Sequence, residues 1–230
     1  MILFNSQTIN FEDFIMNSDL SNYRKSYEKE ELLENNISDN PMELFQKWFY
    51  EVDTNFDVEE TNAMTLSTIG LDGFPKSRVV LLKRYTFEGF IFFTNYNSEK
   101  GKSIEKNPNV CLSFFWNSAE RQIIIKGKAE KISENLSDGY FESRPRGSQL
   151  GALVSHQSEV IKNRKVLEDK LLSLEKKFEG KEIPRPSFWG GYIVKPIEME
   201  FWQGRPNRLH DRIRFSLQED FNWQIDRLSP

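Results

Sequence analysis

The chain has 230 residues and a net charge of −4, with 38% hydrophobic and 29% charged residues, the proportions of a globular protein with one sizeable core. The acidic balance argues against binding nucleic acid by bulk electrostatics, and one cysteine and two histidines allow neither an internal disulfide nor a zinc site. No run approaches the ~18 apolar residues that span a bilayer, and residues 1–20 lack the pattern of a signal peptide, so a soluble cytoplasmic protein without membrane contact is expected.

Residues 1–40 are polar and of mixed charge sign, and are expected to form an N-terminal arm with helical pieces ahead of a single domain over 41–230. Asn40-Pro41 starts a helix, an N-cap followed by the residue best suited to the first helical position, and Leu44, Phe45, Trp48, Phe49 and Val52 follow helical spacing. Strands come next. AMTLSTIG and PKSRVVLLKRY flank LDGF, whose Asp-Gly pair signals a hairpin, and GFIFFTNY follows. SEKGKSIEKNP predicts a short helix stopped by Pro108, and NVCLSFFW and RQIIIKGKAEKI predict two paired strands, with Cys111 a core residue rather than a nucleophile.

Residues 134–180 turn helical: ENLSDGYFESRP ends at a proline, and SEVIKNRKVLEDKLLSLEKKFEG places Val160, Ile161, Val166, Leu167, Leu171, Leu174 and Phe178 on one core-facing stripe. FWGGYIVKP, EMEFWQ, RLHDRIRFSL and NWQIDRLSP return to strands. Strands, then helices, then strands, without βαβ alternation, predict a mainly β fold with peripheral α-helices, built as a closed or split barrel. No glycine-rich phosphate loop is present. Any phosphate must be held by side chains on strands and helix ends.

Three clusters carry the chemistry. In FWQGRPNRLHDR, strand alternation places Arg208, His210 and Arg212 on one face, with Leu209, Asp211 and Ile213 on the other. Such crowding of cations suits either an anionic ligand or a solvated edge, and Arg205 falls on a solvated turn. In SRVVLLK, Arg78 and Lys83 are five apart and face opposite sides unless a bulge intervenes, so they either meet one group or mark the strand's two ends. In YFESRPRGSQLGALVSHQS, Tyr140 and Arg144 lie one helical turn apart, and Arg146, Ser148, Gln157 and Ser158 add donors suited to a phosphate. His156 reads as a surface residue.

FWQGRPNRLHDR with the terminal WQIDRLSP, supported by SRVVLLK, FFTNYNSEKGK, ERQIIIKGKAEK, YFESRPRGSQLGALVSHQS and PSFWGGY, resembles the pyridoxine (pyridoxamine) 5′-phosphate oxidases, in order from about Tyr23 to Pro230. The resemblance implies an FMN-binding split β-barrel working as a homodimer, with FMN at the subunit interface. It implies oxidation of pyridoxamine or pyridoxine 5′-phosphate to pyridoxal 5′-phosphate by hydride transfer from C4′ to flavin N5, with O2 as acceptor and H2O2 as product.

Carried over by motif, Arg78 and Lys100 would meet the FMN phosphate, helped by Gln157 and Ser158. The backbone of Val79, Val80, Leu81, Leu82 and Lys83, with Phe93, Thr94 and Gln122, would line the flavin. Trp202 and Arg212 would touch it from the other subunit. Lys83, Tyr140, Arg144 and Ser148 match the substrate-phosphate site. Arg208 and His210, with Leu209 between them, match the residues at the reacting end of the substrate, and Arg24 and Tyr27 match an arm that closes over it. One departure stands out: the family usually has Arg where this chain has Glu99, a carboxylate set near a phosphate. Rival readings are a related split-barrel flavin oxidoreductase with another substrate, and an FMN or pyridoxal phosphate carrier without turnover.

Overall fold

In the structure, a computed structural model, residues 20–23 and 25–230 are described. Helix α1 (Pro41–Asn55) opens as its sequence demands: the Asn40 side chain accepts the Met42 N–H at 2.9 Å, and Pro41 occupies the first turn. Its apolar stripe is buried, and Phe45 is fully enclosed, meeting Phe90, Phe114 and Tyr85 edge to face. Burying a side chain of that size stabilises the fold by about 1.5–3 kcal/mol.

Around α1 curls an antiparallel sheet of β1 (Ala63–Ile69), β2 (Pro75–Leu81), β3 (Arg84–Thr86), β4 (Gly89–Asn95), β5 (Asn109–Trp116), β6 (Arg121–Lys131), β7 (Trp189–Gln203), β8 (Asp211–Leu217) and β9 (Trp223–Arg227). The strand order is β2-β1-β5-β6-β7-β4-β3, with β8 and β9 branching from β7. The LDGF hairpin forms as expected: Gly70 N–H donates to the Phe74 carbonyl at 2.7 Å, and Gly73 takes a φ of +85° that disfavours any side chain. β5 and β6 pair along their length.

FWGGYIVKP and EMEFWQ are not two strands but one. β7 runs unbroken for 15 residues, its first half paired to β4 and its second to β8, while β6 accompanies both. The ladder shifts between Lys126 and Gly127, and a Cβ on Gly127 would lie 2.4 Å from the Lys195 carbonyl oxygen. That bulge lets one strand serve two directions of curl, which makes the sheet a half-barrel rather than a flat plate.

Helix α2 (Glu99–Lys106) is capped by Ser98, whose hydroxyl accepts the Gly101 N–H at 3.3 Å. Helices α3 (Glu134–Ser143), α4 (Arg146–Val154) and α5 (Lys165–Lys177) build a second apolar cluster around Phe141, Leu150, Ile183 and Trp189. α5 is shorter than its periodicity suggests: Val160 and Ile161 precede it and are exposed, as is Val166 within it, while Leu171, Leu174 and Phe178 pack on the cluster. Its stripe covers a satellite core rather than entering the barrel.

The described part of the arm also departs from expectation. Only Glu34–Asn36 form a single 3-10 turn, and the rest is strapped to the barrel. Glu28 and Lys29 donate backbone N–H groups to the buried Glu120 carboxylate at 2.8 and 3.1 Å, and Leu32 N–H donates to Asp211 at 3.1 Å. A polar segment rich in both charge signs satisfies its backbone against carboxylates presented by the barrel, so it has no need of helix. Among the described residues no helix is long and apolar enough to cross a membrane, and no His, Cys, Asp or Glu cluster could hold a metal.

Candidate active site

Strand β2 lies at the sheet's edge, so its outer backbone groups are free of ladder partners. Between this edge, β4, the start of α2 and helices α3 and α4 lies a cavity of about 760 Å³. Its charged lining is lopsided: Lys76, Arg78, Lys83, Lys100 and Arg144 against the single carboxylate of Glu99.

At one end, Arg78 is held by Nη1 donating to Thr68 Oγ1 at 2.7 Å and to the Leu66 carbonyl at 3.3 Å. Lys100, almost wholly enclosed, donates to Gln157 Oε1 at 2.9 Å. Burial, and then Arg78 beside it, push its ammonium down to about 8. Ser158 completes this end with a φ of +75°, a strained conformation for a side-chain residue. Cations drawn together and dehydrated in this way fit an anion such as a phosphate.

At the other end, Tyr140 stacks on Phe93 with ring centroids 3.9 Å apart, and Trp189 continues the stack. The Arg144 guanidinium lies over Trp189 at 4.6 Å, and its Nη1 is buried without a hydrogen-bond partner among the described residues. Burial lowers its pKa. A buried arginine nitrogen without an acceptor is costly unless a ligand supplies one. Lys83 and Ser148 also line the cavity, and the uncompensated Arg144 fits a second anion.

The question over Arg78 and Lys83 is answered by where the strand stops. PKSRVVLLKRY is not one strand: β2 ends at Leu81, and the chain turns through Leu82 and Lys83 before β3, so both cations reach one cavity. Leu82 itself is turned away. Its side chain is in the core, its N–H donates to the Asn62 carbonyl at 2.8 Å and its carbonyl accepts Asn62 Nδ2 at 2.9 Å. Its N–H is thereby committed within the chain, and Leu82 does not line the cavity. Val79, Val80, Leu81, Phe93 and Thr94 do line the cavity.

Gln122, Trp202 and Arg212 lie elsewhere. They are register partners across β6, β7 and β8 and so share one sheet face, none of them lining this cavity. Arg212 Nε donates to Glu200 at 2.8 Å. The same-face argument for Arg208, His210 and Arg212 fails, because β8 begins only at Asp211. Pro206–Arg208 form a 3-10 turn in which Asn207 and Arg208 take φ values of +57° and +63°. Proline at 206 and the charged, polar residues after it favour this turn over a strand.

Arg208 and His210 still come together, lining a second, smaller cavity with Tyr23, Tyr27 and Arg205, while the Leu209 side chain points to solvent. Tyr27 meets the rings of Trp202 and His210 edge to face at 5.6 and 5.8 Å. Arg24 lies outside the described residues. Arg205 is no solvated bystander: it donates to the Glu30 carbonyl at 3.1 Å and lies 3.5 Å from Asp211, tying arm to turn.

His210 Nδ1 accepts the Arg205 N–H at 3.1 Å, which places the proton of the neutral ring on Nε2. Burial, then Arg208, lower its pKa, which favours the neutral ring. His156 is exposed, 2.9 Å from Lys170 Nζ. Cys111 is half-buried, and burial raises its thiol pKa.

Sequence reasoning passed over Lys76 and Trp189. Lys76 was legible from alternation, two residues before Arg78 on the same strand face. Trp189 carried only the weaker signal of an aromatic before Gly190-Gly191.

A family model described as pyridoxamine 5′-phosphate oxidase matches residues 54–177, and a second, described as the pyridoxine 5′-phosphate oxidase C-terminal dimerisation region, matches residues 189–230. The chain belongs to the pyridoxamine 5′-phosphate oxidase family. It is an oxidase, similar to the pyridoxine/pyridoxamine 5′-phosphate oxidase of Flavobacterium psychrophilum, 70% identical over 92% of this chain and 99% of that protein. The Flavobacterium johnsoniae enzyme of the same name is 69% identical over the same shares.

Among solved structures, PhzG from Burkholderia lata 383, in complex with tetrahydrophenazine-1-carboxylic acid, superposes with a TM-score of 0.80 at 29% identity, covering 86% of this chain and 98% of that one. A pyridoxamine 5′-phosphate oxidase-related, FMN-binding protein from Nostoc punctiforme shares the fold at a TM-score of 0.65 and 13% identity, over 80% and 96% of the two chains. The family's split β-barrel is the curled half-barrel seen here.

Proposed function

We propose that this chain is a cytoplasmic FMN-dependent oxidase that converts pyridoxamine or pyridoxine 5′-phosphate to pyridoxal 5′-phosphate, reducing O2 to H2O2. The observation that carries this reading is one cavity that gathers five cations against a single carboxylate, enough to hold two phosphates. Arg78, Lys100, Gln157 and Ser158 hold the FMN phosphate, and the β2 edge with Phe93 and Thr94 lines the flavin ring. Lys83, Tyr140, Arg144 and Ser148 hold the substrate phosphate.

The active unit is a homodimer with FMN at the interface. The face carrying Gln122, Trp202 and Arg212, with the cavity of Arg208, His210 and Tyr27, does not line the first cavity of its own chain, and in this reading a second copy supplies it. The match of residues 189–230 to a dimerisation region supports this arrangement.

When bound, FMN would supply the redox chemistry, taking up the hydride that leaves C4′ while the hydroxyl or amine proton goes to solvent, with O2 as final acceptor and, for the amine, water consumed and ammonia released in forming the aldehyde. The protein holds and orients. Arg208 packs the substrate ring and His210 donates its Nε2 proton to a ring substituent, while the fixed phosphate at Arg144 sets the ring's distance from the cofactor. PhzG raises the alternative of a different substrate on the same barrel, and the phosphate-ready end at Arg144 favours the phosphorylated one.

Absorbance assays of pyridoxal phosphate formation, with and without added FMN and with peroxide detection, test the reading. Yellow protein that releases both products is expected. A protein that takes up no flavin, or binds it and turns over neither substrate, would overturn it.

A further inference from the structure

We propose that Lys76 is a positioning residue that neutralises Glu99 and so keeps the Arg78–Lys100 end of the cavity receptive to a phosphate dianion; the inference rests on the FMN reading above. Lys76 and Arg78 stand two apart on β2, opposite Thr68 and Leu66 of β1, and both line the cavity. Lys76 Nζ sits 2.7 and 2.6 Å from the two carboxylate oxygens of Glu99. That grip is chelating, and Glu99 has no other ion-pair partner among the described residues.

Glu99 opens α2, where a carboxylate complements the helix dipole, and it immediately precedes Lys100. Its field reaches both phosphate-binding cations: it raises the pKa of Arg78 and of Lys100 against the opposing effect of burial. A dianion drawn to Arg78 and Lys100 therefore meets the same carboxylate as a repulsion. With Lys76 locked on it, Glu99 presents a near-neutral pair instead of a net charge. Both side chains are partly exposed, at 55% and 41%, so solvent screens the interaction and the effect is moderate.

The test is FMN titration of the flavin-free protein, read by quenching of flavin fluorescence, for Lys76→Gln, Glu99→Gln and the double variant. At low salt, Lys76→Gln should weaken FMN binding by about fivefold, Glu99→Gln should leave it equal or tighter, and the double variant should return to near wild type. The Lys76→Gln defect should shrink between about 20 and about 500 mM salt. Wild-type affinity in Lys76→Gln would overturn the inference. So would a double variant as weak as Lys76→Gln, since Lys76 would then contact the phosphate itself or act only in folding. Failure of the wild-type protein to bind FMN is a separate result that removes the cofactor reading beneath it.

Discussion

Arg212 and Arg144 stand in two regions that look alike as sequence, each a cluster of cations in an acidic chain, yet the structure wires them oppositely. Around Arg212 charge is matched at short range. Arg212 bonds Glu200, Arg214 bonds Asp226 at 2.8 Å, and Arg227 pairs with Glu34 and Asp211. Around Arg144 no ion-pair partner is found among the described residues, one guanidinium nitrogen is buried unpaired, and the group rests on an indole instead. Each region buries one guanidinium nitrogen without a hydrogen-bond partner among the described residues, Arg214 Nε and Arg144 Nη1, so what separates the charge network from the ligand site is the presence of a matching carboxylate, not the number of cations. In the first region the exception is the Arg208 turn, whose left-handed backbone carries its side chain to a second cavity beside His210.

The contrast is broken most directly at that turn. Arg208→Ala should lower turnover by about 100-fold, the scale of losing one orienting contact on a reacting ring, while changing FMN affinity by less than about twofold. Flavin titration beside steady-state assays checks this, and equal loss of both would move Arg208 into the cofactor site. The Arg144 end should respond differently. Arg144→Ala is expected to raise KM for the phosphorylated substrate by about tenfold or more with FMN binding intact, as loss of a charged phosphate contact implies. Trp189→Leu should give a smaller shift of the same kind, and combining the two should add little, because the indole bears on the substrate through the guanidinium it carries, its ring otherwise packing in the buried cluster with Phe93, Tyr140 and Phe141. Loss of flavin from Trp189→Leu would assign the aromatic stack to the cofactor instead.

How much of this was legible depended on whether local chemistry or tertiary pairing decided each point. The Asn40-Pro41 cap, the Asp72-Gly73 hairpin and the α2 stop at Pro108 are local, and sequence reads them. Arg78 and Lys83 could be placed on one wall only once β2 was seen to end at Leu81, an event set by the buried Leu82 and its Asn62 partner twenty residues earlier. Arg208 was misread as strand because RLHDR alternates plausibly, whereas Pro206 and the left-handed Asn207 and Arg208 make a turn. The course of the described part of the arm was not legible because its partners, Glu120, Asp211 and Arg227, lie far along the chain. Tyr140, Arg144 and Ser148, which the family resemblance grouped, line one cavity, and Lys76 and Trp189, which stood outside that grouping, line it too.

The subtlest test of the contrast uses pH, since the cavity that Arg144 lines also holds a lysine whose pKa burial has lowered. Lys100 sits at about 8 in the folded, flavin-free chain against an ordinary 10.5, with Arg78 and Glu99 as its charged neighbours. Between these values the unfolded chain binds more protons than the folded one, so this group makes stability rise as pH increases from about 8 towards 10.5. Binding a phosphate reverses the preference: the dianion favours the charged ammonium, so FMN affinity should fall over the same window. The phosphate's own second ionisation, near 6, is already complete there. Melting of the flavin-free protein and FMN titration across that range should therefore move in opposite directions, each by a modest amount. Lys100→Gln should flatten both curves, and parallel trends in the wild type would show that the lysine is matched after all, like the arginines of β8 and β9.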